Sequence, residues 1–310
     1  MKLSVIIPCK NEEQNVIDIH ESIAKVLKDI SYELIFIDDG STDATLKNLK
    51  YLYSKDKLHV KVISLSRNFK KEAAMYAGLS KATGAYTCIV DADLQQNPKY
   101  ILEMYKYLEK NQEYDQVAMV MDRKKIDNKI KRLFKKLFYK IITKLSDVEF
   151  VDGASDFRMF KNNVKEAIIS LTESNRFSKG IFSWIGFNTK YLPYKVEKRK
   201  KGETKFTYKE SFKYAFEGIV SFSTKPLRIA MVIGVICSLL AFIYFIITII
   251  QTFIFGIDVP GYASLLCMIL FLGGTQLITI GILGEYLGKT YIESKRRPIY
   301  ISREEIGFDK

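Results

Sequence analysis

Two long stretches without a charged side chain constrain the fold of this chain more than any other feature. The first covers residues 229–257 and the second covers residues 259–284. A helix needs roughly 20 apolar residues to cross the hydrocarbon core of a bilayer. A core helix of a soluble protein rarely stays uncharged for so long. The sequence therefore predicts two membrane-spanning helices, at about 229–255 and 262–284.

The short turn between the two spans, residues 256–261, makes them a hairpin whose outer ends lie on one side of the membrane. The basic residues that flank the hairpin all lie at those outer ends: Lys225, Arg228, Lys289, Lys295, Arg296 and Arg297. Positive charge favours the cytoplasmic side. We therefore predict a multi-pass protein of the cell membrane, with a cytoplasmic domain at 1–225, the hairpin at 226–288 and a cytoplasmic tail at 289–310.

The first 90 residues alternate short apolar runs with segments of helical periodicity. The runs that predict strands are 3–8, 32–37, 60–65 and 85–90, and the segments that predict helices are 11–27, 42–53 and 71–81. Strands that alternate with helices indicate a parallel sheet covered on both faces. Ligands of such sheets bind beyond the carboxyl ends of the strands. The loops expected to meet there are 8–13, 38–41 and 91–95.

Acidic residues follow two of the predicted strands. Asp91 and Asp93 can hold a divalent cation that bridges a diphosphate, although Asp-x-Asp also occurs in many turns that bind nothing. Asp38 and Asp39 can accept hydrogen bonds from a base or ribose. The alternative for this second pair is a turn whose hydroxyl residues cap the next helix.

Positive charge dominates the rest of the soluble part. The net charge of +13 fits a partner among anionic lipids, phosphorylated substrates or nucleic acid. Residues 123–145 are strongly basic with apolar residues at helical spacing, and they predict an amphipathic helix at about 126–145. The helix either lies in the membrane interface, which we favour, or packs on its own domain.

A second group of charged residues precedes the membrane hairpin. Asp156 and Arg158 lie close together, and the basic loop 199–205 contains a glycine. Guanidinium and ammonium groups beside such a turn suit a phosphate, although the loop alternatively contacts only lipid headgroups. The four cysteines show no CxxC spacing and predict neither a disulfide framework nor a zinc site.

Several motifs together resemble one family, the family 2 inverting glycosyltransferases. The resemblance is to the polyprenyl-phosphate branch, which contains dolichyl-phosphate mannose synthases and bactoprenol glucosyltransferases. The matching segments are SVIIPCKNE (4–12), IDDGST (37–42), SRNFKKEAAMYAGL (66–79), VDADLQQNP (90–98), DFRM (156–159), RKKGETKF (199–206) and SFSTKPLR (221–228). The resemblance covers nearly the whole chain. It implies an α/β, Rossmann-like GT-A domain with a mostly parallel sheet, followed by a two-helix transmembrane hairpin.

The resemblance also implies roles for individual residues. Those expected to bind the donor nucleotide are Pro8, Asn11, Glu12, Asp38, Asp39 and Asp91. Those expected to hold Mg²⁺ or Mn²⁺ are Asp91, Asp93 and Gln95. Those expected to bind the phosphates of acceptor and donor are Arg123, Arg158, Arg199 and Lys205. The catalytic residues are expected to be Asp93 and Asp156.

The sequence departs from the family pattern in two segments. Residues 94–99 read Leu-Gln-Gln-Asn-Pro-Lys, where the family usually has Leu-Gln-Asp-Pro-Pro-Glu. Lys70 stands where glycine is usual. Because Asp91, Asp93 and Gln95 are retained, the expectation of a metal site stands.

The implied reaction transfers a sugar from a nucleotide donor to undecaprenyl or another polyprenyl phosphate, for glycosylation of the cell envelope. The leading donors are UDP-glucose and UDP-N-acetylglucosamine, with GDP-mannose behind them. The acceptor phosphate is largely ionised near neutral pH, since its second pKa is about 6, so a strong base is not required. A single displacement inverts the anomeric configuration. Related bacterial enzymes suggest a homo-oligomer, a tetramer.

Two other functions fit parts of the sequence. A processive polysaccharide synthase usually carries Gln-x-x-Arg-Trp, but the only tryptophan, Trp184, lies outside any such motif. A non-catalytic, basic, membrane-tethered protein would bind nucleic acid or another anion. Strand-end carboxylates repel phosphate unless a metal intervenes, so we expect an enzyme with no nucleic-acid partner.

Overall fold

The computed structural model describes residues 1–121, 151, 153–197, 220–256 and 261–308. An α/β domain is followed by two long helices and a short final strand. The strands are β1 (Leu3–Cys9), β2 (Tyr32–Asp38), β3 (Val60–Leu65), β4 (Tyr86–Ile89), β5 (Gln116–Met121), β6 (Ala154–Lys161), β7 (Thr189–Tyr194) and β8 (Ser302–Ile306). The helices are α1 (Val16–Leu27), α2 (Thr45–Lys55), α3 (Lys71–Lys81), α4 (Lys99–Lys110), α5 (Asn162–Ser170), α6 (Ser178–Trp184), α7 (Lys225–Phe255) and α8 (Tyr262–Ser294).

The eight strands of the described residues form one sheet, in the order β7-β5-β6-β4-β1-β2-β3-β8. Its pairings are parallel except those that involve β6 and β8. The central strands are buried on both faces, as parallel strands in α/β proteins are. Side chains of α1, α2 and α4 cover one face, and side chains of α3, α5 and α6 cover the other. The mostly parallel α/β sheet predicted from the sequence is confirmed.

The first two helices begin later than the hydrophobic periodicity predicts. Helix α1 begins at Val16 and α2 at Thr45, because the loops before them bond to each other. The Asn11 N–H donates to Ser41 Oγ at 2.9 Å, and the Thr42 N–H donates to Asn11 Oδ1 at 2.9 Å. These bonds draw the ends of β1 and β2 together at the carboxyl edge of the sheet.

The C-terminal residues return to the sheet after the membrane hairpin. Strand β8 pairs antiparallel with the edge strand β3. Two surface ion pairs accompany it, Lys50 Nζ to Glu304 Oε2 at 2.6 Å and Lys81 Nζ to Glu305 Oε2 at 2.8 Å. This strand is not predicted from the sequence, because the alternation of polar and apolar residues in the tail is short and weak. The tail protects a sheet edge that is otherwise unpaired.

Helices α7 and α8 contain 31 and 33 residues. Each contains a segment long and apolar enough to cross a membrane, Lys225–Gln251 and Met268–Ser294. The C-terminal part of α8 makes two contacts outside the hairpin: the Tyr286 hydroxyl donates to the Ser223 carbonyl at 2.7 Å, and Glu293 Oε1 accepts from the Ser174 N–H at 2.8 Å. Helix α8 therefore contacts both the α/β domain and the segment that leads into α7.

Candidate active site

The polar residues of the candidate site lie where β1, β2 and β4 end. Asp38 is the last residue of β2, and Asp91 lies two residues after the end of β4. Strand β6 is antiparallel to β4, with Ile89 opposite Arg158. The beginning of β6, rather than its end, therefore lies at this edge. This pairing brings Asp156 next to Asp91, although the two residues are far apart in the sequence.

Lys71 connects the two aspartates. Its Nζ lies 2.6 Å from Asp91 Oδ1 and 3.0 Å from Asp156 Oδ2. Lys71 is the first residue of α3, so the start of this helix points its ammonium into the crevice. The second carboxylate oxygen of Asp156, Oδ1, is buried and has no hydrogen-bond partner among the described residues. The three side chains form the Asp91–Lys71–Asp156 cluster.

The charges in this cluster shift the proton affinities of its members. Desolvation favours neutral Lys71, but the carboxylates of Asp91 and Asp156 outweigh it and raise the pKa of Lys71 well above its usual value. Burial likewise favours protonated Asp156, yet the Lys71 ammonium lowers the pKa of Asp156. Both side chains therefore stay charged near neutral pH.

A third carboxylate, that of Glu72, lies close to the cluster. Burial, and then the negative charge of Asp156, raise the pKa of Glu72. The Ser178 N–H donates to Glu72 Oε2 at 3.0 Å, and the Ser178 hydroxyl donates to the same oxygen. Glu72 thereby ties α3 to α6.

The loop after β4 presents the carboxylates expected to bind metal. Asp91 is held by Gln96, whose Nε2 donates to Asp91 Oδ2 at 2.8 Å and whose Oε1 accepts from the Asp91 N–H at 2.9 Å. Asp93 Oδ1 accepts from the Gln95 N–H at 3.1 Å. Leu94 between them has a φ of 61°, which turns the loop sharply. Gln96 stands where the family usually has aspartate.

The donor set suits a divalent cation that is shared with a substrate. The described residues contain no group of three histidine, cysteine or acidic side chains that could cage a metal on their own. Mg²⁺ commonly binds through one or two carboxylates and completes its shell with substrate phosphates and water. Asp91 and Asp93 match that pattern. The metal assignment for these residues and Gln95 stays a prediction.

Asp38 and Asp39, the carboxylates expected to bind the nucleotide, accept hydrogen bonds from the loops of the site. Asp38 is 1% exposed and accepts from the Ser41 N–H at 3.1 Å and the Ser64 hydroxyl at 3.2 Å. Asp39 Oδ1 accepts from the Phe69 N–H at 2.6 Å, and burial raises the pKa of Asp39. These bonds position the β2 and β3 loops around the crevice.

The loop residues expected to bind the donor also bond to their neighbours. Pro8 lies in β1 opposite Ile37. Asn11 bridges the two loops as described above, and Glu12 Oε2 accepts from Asn15 Nδ2 at 2.6 Å. Direct nucleotide contacts of Pro8, Asn11 and Glu12 stay predictions.

Arg158 lies inside the domain rather than in the open crevice. It is 4% exposed, its Cζ lies 3.7 Å from the centre of the Phe182 ring, and its Nη1 donates to Gln116 Oε1 at 3.4 Å. Burial lowers the pKa of Arg158 to about 10. Arg158 therefore packs within the domain, where its charge helps to lower the pKa of Asp156. Phosphate contact by Arg158 stays a prediction.

Several predictions fall outside the described residues. They are the amphipathic helix at 126–145 and the phosphate-binding residues Arg123, Arg199 and Lys205. Conversely, the sequence analysis missed Lys71, Glu72 and Gln96 as site residues. The first two lie in the segment 66–79 that carries the resemblance, so a signal for them was present.

A mostly parallel α/β sheet, carboxylates at its strand ends and a C-terminal helical hairpin are the arrangement expected of a membrane-associated glycosyltransferase of the GT-A type. Residues 4–168 match the family described as Glycosyl transferase family 2, and residues 225–290 match the GtrB C-terminal hairpin. The chain belongs to glycosyltransferase family 2, as the resemblance implied.

Curated relatives are similar over nearly the whole chain. The provisionally named glycosyltransferase CsbB of Bacillus subtilis is 44% identical over 305 residues, which cover 97% of this chain and 91% of that one. The prophage bactoprenol glucosyl transferase homolog of Escherichia coli is 42% identical, over 97% and 98% of the two chains. The bactoprenol glucosyl transferase of Shigella phage SfV is 41% identical, over 98% and 99%.

Proposed function

We propose that the enzyme transfers glucose from UDP-glucose to undecaprenyl phosphate or a similar polyprenyl phosphate. The observation that carries this proposal is the Asp91–Lys71–Asp156 cluster, which joins the expected donor side of the crevice to its expected acceptor side. The names of two full-length relatives, a bactoprenol glucosyl transferase and a prophage bactoprenol glucosyl transferase homolog, support glucose and a polyprenyl carrier. UDP-N-acetylglucosamine and GDP-mannose are the competing donors.

The residues of the site have different roles in the proposed reaction. Asp91 and Asp93 would hold Mg²⁺ or Mn²⁺, and the bound ion would stabilise the negative charge that develops on the leaving diphosphate. Asp156, kept ionised by Lys71, orients the acceptor. The acceptor phosphate attacks the anomeric carbon directly, since it is already ionised near neutral pH. Asp156 is not needed as a strong base.

A single in-line displacement inverts the sugar. The bond from the anomeric carbon to the donor diphosphate breaks as the bond to the acceptor phosphate oxygen forms, so the α-linked donor gives a β-linked lipid phosphosugar. Arg123, Arg199 and Lys205 are proposed to bind the phosphates during this step. Basic residues at both outer ends of the hairpin support a cytoplasmic site.

A donor screen tests the proposed reaction. The purified full-length protein in detergent receives undecaprenyl phosphate, Mn²⁺ and one of the three nucleotide sugars, and mass spectrometry measures the lipid-linked sugar. We expect UDP-glucose to react at least roughly tenfold faster than the others. A preference for another donor would reject glucose while keeping the carrier, and no lipid product from any donor would reject the reaction. NMR of the product tests inversion, which an α-linked product would contradict.

We also propose that the protein is a homotetramer and that its catalytic domain lies in the cytoplasm. The homotetramer is measured by the mass of the detergent-solubilised complex, which a monomeric mass would contradict. The cytoplasmic orientation is measured with a reporter at the C-terminus that is active only in the cytoplasm.

A further inference from the structure

Each oxygen of the Asp91 carboxylate has a partner within the protein. Its Oδ1 lies 2.6 Å from Lys71 Nζ, and its Oδ2 accepts from Gln96 Nε2 at 2.8 Å. Gln96 is itself buried and is fixed to the backbone N–H of Asp91. A metal ligand must present a bare oxygen lone pair to the cation. A carboxylate oxygen has a second lone pair, but a cation bound at Oδ1 would lie close to the Lys71 ammonium. Repulsion between the two positive charges therefore favours movement of Lys71 away from Asp91 when a cation binds.

Lys71 is placed to move without losing all its partners. Its ammonium also contacts Asp156 Oδ2 at 3.0 Å. An ammonium has three N–H donors, and two are directed at these carboxylates. The Lys71 side chain is 42% exposed, so its remaining side faces the open crevice. An ammonium released from Asp91 can stay on Asp156 and donate to an oxygen of a bound phosphate.

The surrounding charges make this exchange costly for a cation that arrives alone. Lys71 and a divalent cation are both positive and both require the same carboxylate oxygen, so they repel each other at short range. The described residues offer no third acidic, histidine or cysteine ligand to offset that repulsion. A diphosphate does offset it, because it brings negative oxygens to both the cation and the ammonium.

We propose that Lys71 is a positioning residue that occupies Asp91 as a resident counter-ion and is displaced only when the cation binds together with the donor diphosphate. The empty enzyme consequently binds the cation weakly, and diphosphate and cation bind cooperatively. Lys71 thereby prevents occupation of the site by a cation without donor. The inference rests on the proposed function, since it takes the cation and the diphosphate from it.

Mn²⁺ binding to the full-length protein in detergent tests this inference without any turnover. Electron paramagnetic resonance of free Mn²⁺ gives the Kd in the presence and absence of uridine diphosphate. For the wild type we expect weak binding alone and binding at least roughly tenfold tighter with uridine diphosphate. Lys71→Gln should bind Mn²⁺ alone roughly tenfold more tightly than the wild type. Uridine diphosphate should then tighten Mn²⁺ binding less than it does in the wild type, because no ammonium has to leave Asp91.

Three variants control the experiment. Lys71→Arg keeps the charge and should behave as the wild type does. Lys70→Gln removes the same charge from the preceding, exposed residue and should leave the Kd for Mn²⁺ within about twofold of the wild type. Lys71→Met repeats the test with an apolar side chain of similar length, in case glutamine disturbs the fold. Circular dichroism confirms that each variant is folded.

The outcomes separate this inference from the proposed function. An unchanged or weaker Kd for Mn²⁺ in Lys71→Gln and Lys71→Met, in a protein whose wild type makes lipid-linked sugar, overturns the role of Lys71 alone. A wild type that binds Mn²⁺ neither alone nor with uridine diphosphate overturns both. Should neither variant fold, equal Mn²⁺ binding by the wild type with and without uridine diphosphate overturns the inference.

Discussion

Lys70 adopts a backbone conformation that side chains rarely tolerate. Its φ is 74° and its ψ is 164°, a region that is essentially restricted to glycine. The side chain is exposed. The Lys70 N–H donates to Asn68 Oδ1 at 2.9 Å, and its carbonyl accepts from the Ala74 N–H at 3.2 Å. Glycine, which is usual here in the resembling family, would keep both bonds and remove the strain.

The substitution Lys70→Gly is therefore expected to stabilise the protein. Strain at a non-glycine residue in such a region costs about 1–3 kcal/mol. Glycine offsets part of the gain, because it makes the unfolded chain more flexible by about 0.5–1 kcal/mol. The net increase in the free energy of unfolding is roughly 0.5–2 kcal/mol. At about 2–4 °C per kcal/mol for a domain of this size, the Tm should rise by a few degrees.

Thermal unfolding of the full-length protein in detergent, followed by circular dichroism, measures the effect. The matched control is Lys47→Gly, which changes an exposed lysine inside α2 and should lower stability by about 1 kcal/mol through poorer helix propensity. A loss of Tm in Lys70→Gly comparable with that of the control would refute the argument from backbone strain.

Three other changes have defined outcomes. Gly180→Ala should lower the Tm by an amount equivalent to about 1–3 kcal/mol, because its Cβ would lie 2.4 Å from the Phe222 ring; an unchanged Tm would show that the ring moves freely. Glu33→Gln should be less stable than the wild type at neutral pH, and this difference in the free energy of unfolding should shrink below about pH 4. The reason is that hydrogen bonds and an ion pair overcome desolvation and lower the pKa of Glu33 in the folded state. A difference that grows on acidification would contradict this sign. Asp93→Asn should reduce sugar transfer at least about 100-fold with the fold intact, whereas the control Asp18→Asn should not. Turnover by Asp93→Asn equal to that of the wild type would contradict the assignment of Asp93 as a metal ligand.

Gly180 lies at a contact between the helix that supports the candidate site and the segment that leads into the membrane hairpin. Gly180 lies in α6, whose first residue, Ser178, bonds to Glu72 behind the cluster. Phe222 lies just before α7 and packs against Gly180. The helix that supports the site thus also contacts the segment that leads into the membrane. Lack of a Cβ at Gly180 is what permits this close approach.

The central half of the sheet was predictable from local pattern alone. Strands β1 to β4 are short apolar runs buried on both faces, so their composition signals burial without reference to partners. The start of α1 was not predictable at the same level. Residues 11–15 have a helical pattern, but Asn11 takes a φ of 55° and bonds to the loop after β2. Tertiary hydrogen bonds there override periodicity.

The sequence by itself determined the membrane hairpin, the parallel core of the sheet and the strand-end position of Asp91 and Asp93. Each of these follows from local composition, because burial in lipid or between helix layers selects residue types directly. Only the tertiary structure decided that β6 runs antiparallel beside β4 and brings Asp156 to Asp91, that Lys71 lies between them, and that the C-terminal residues return as β8. Such contacts depend on pairing between distant segments, and no local pattern encodes which strand will be the neighbour.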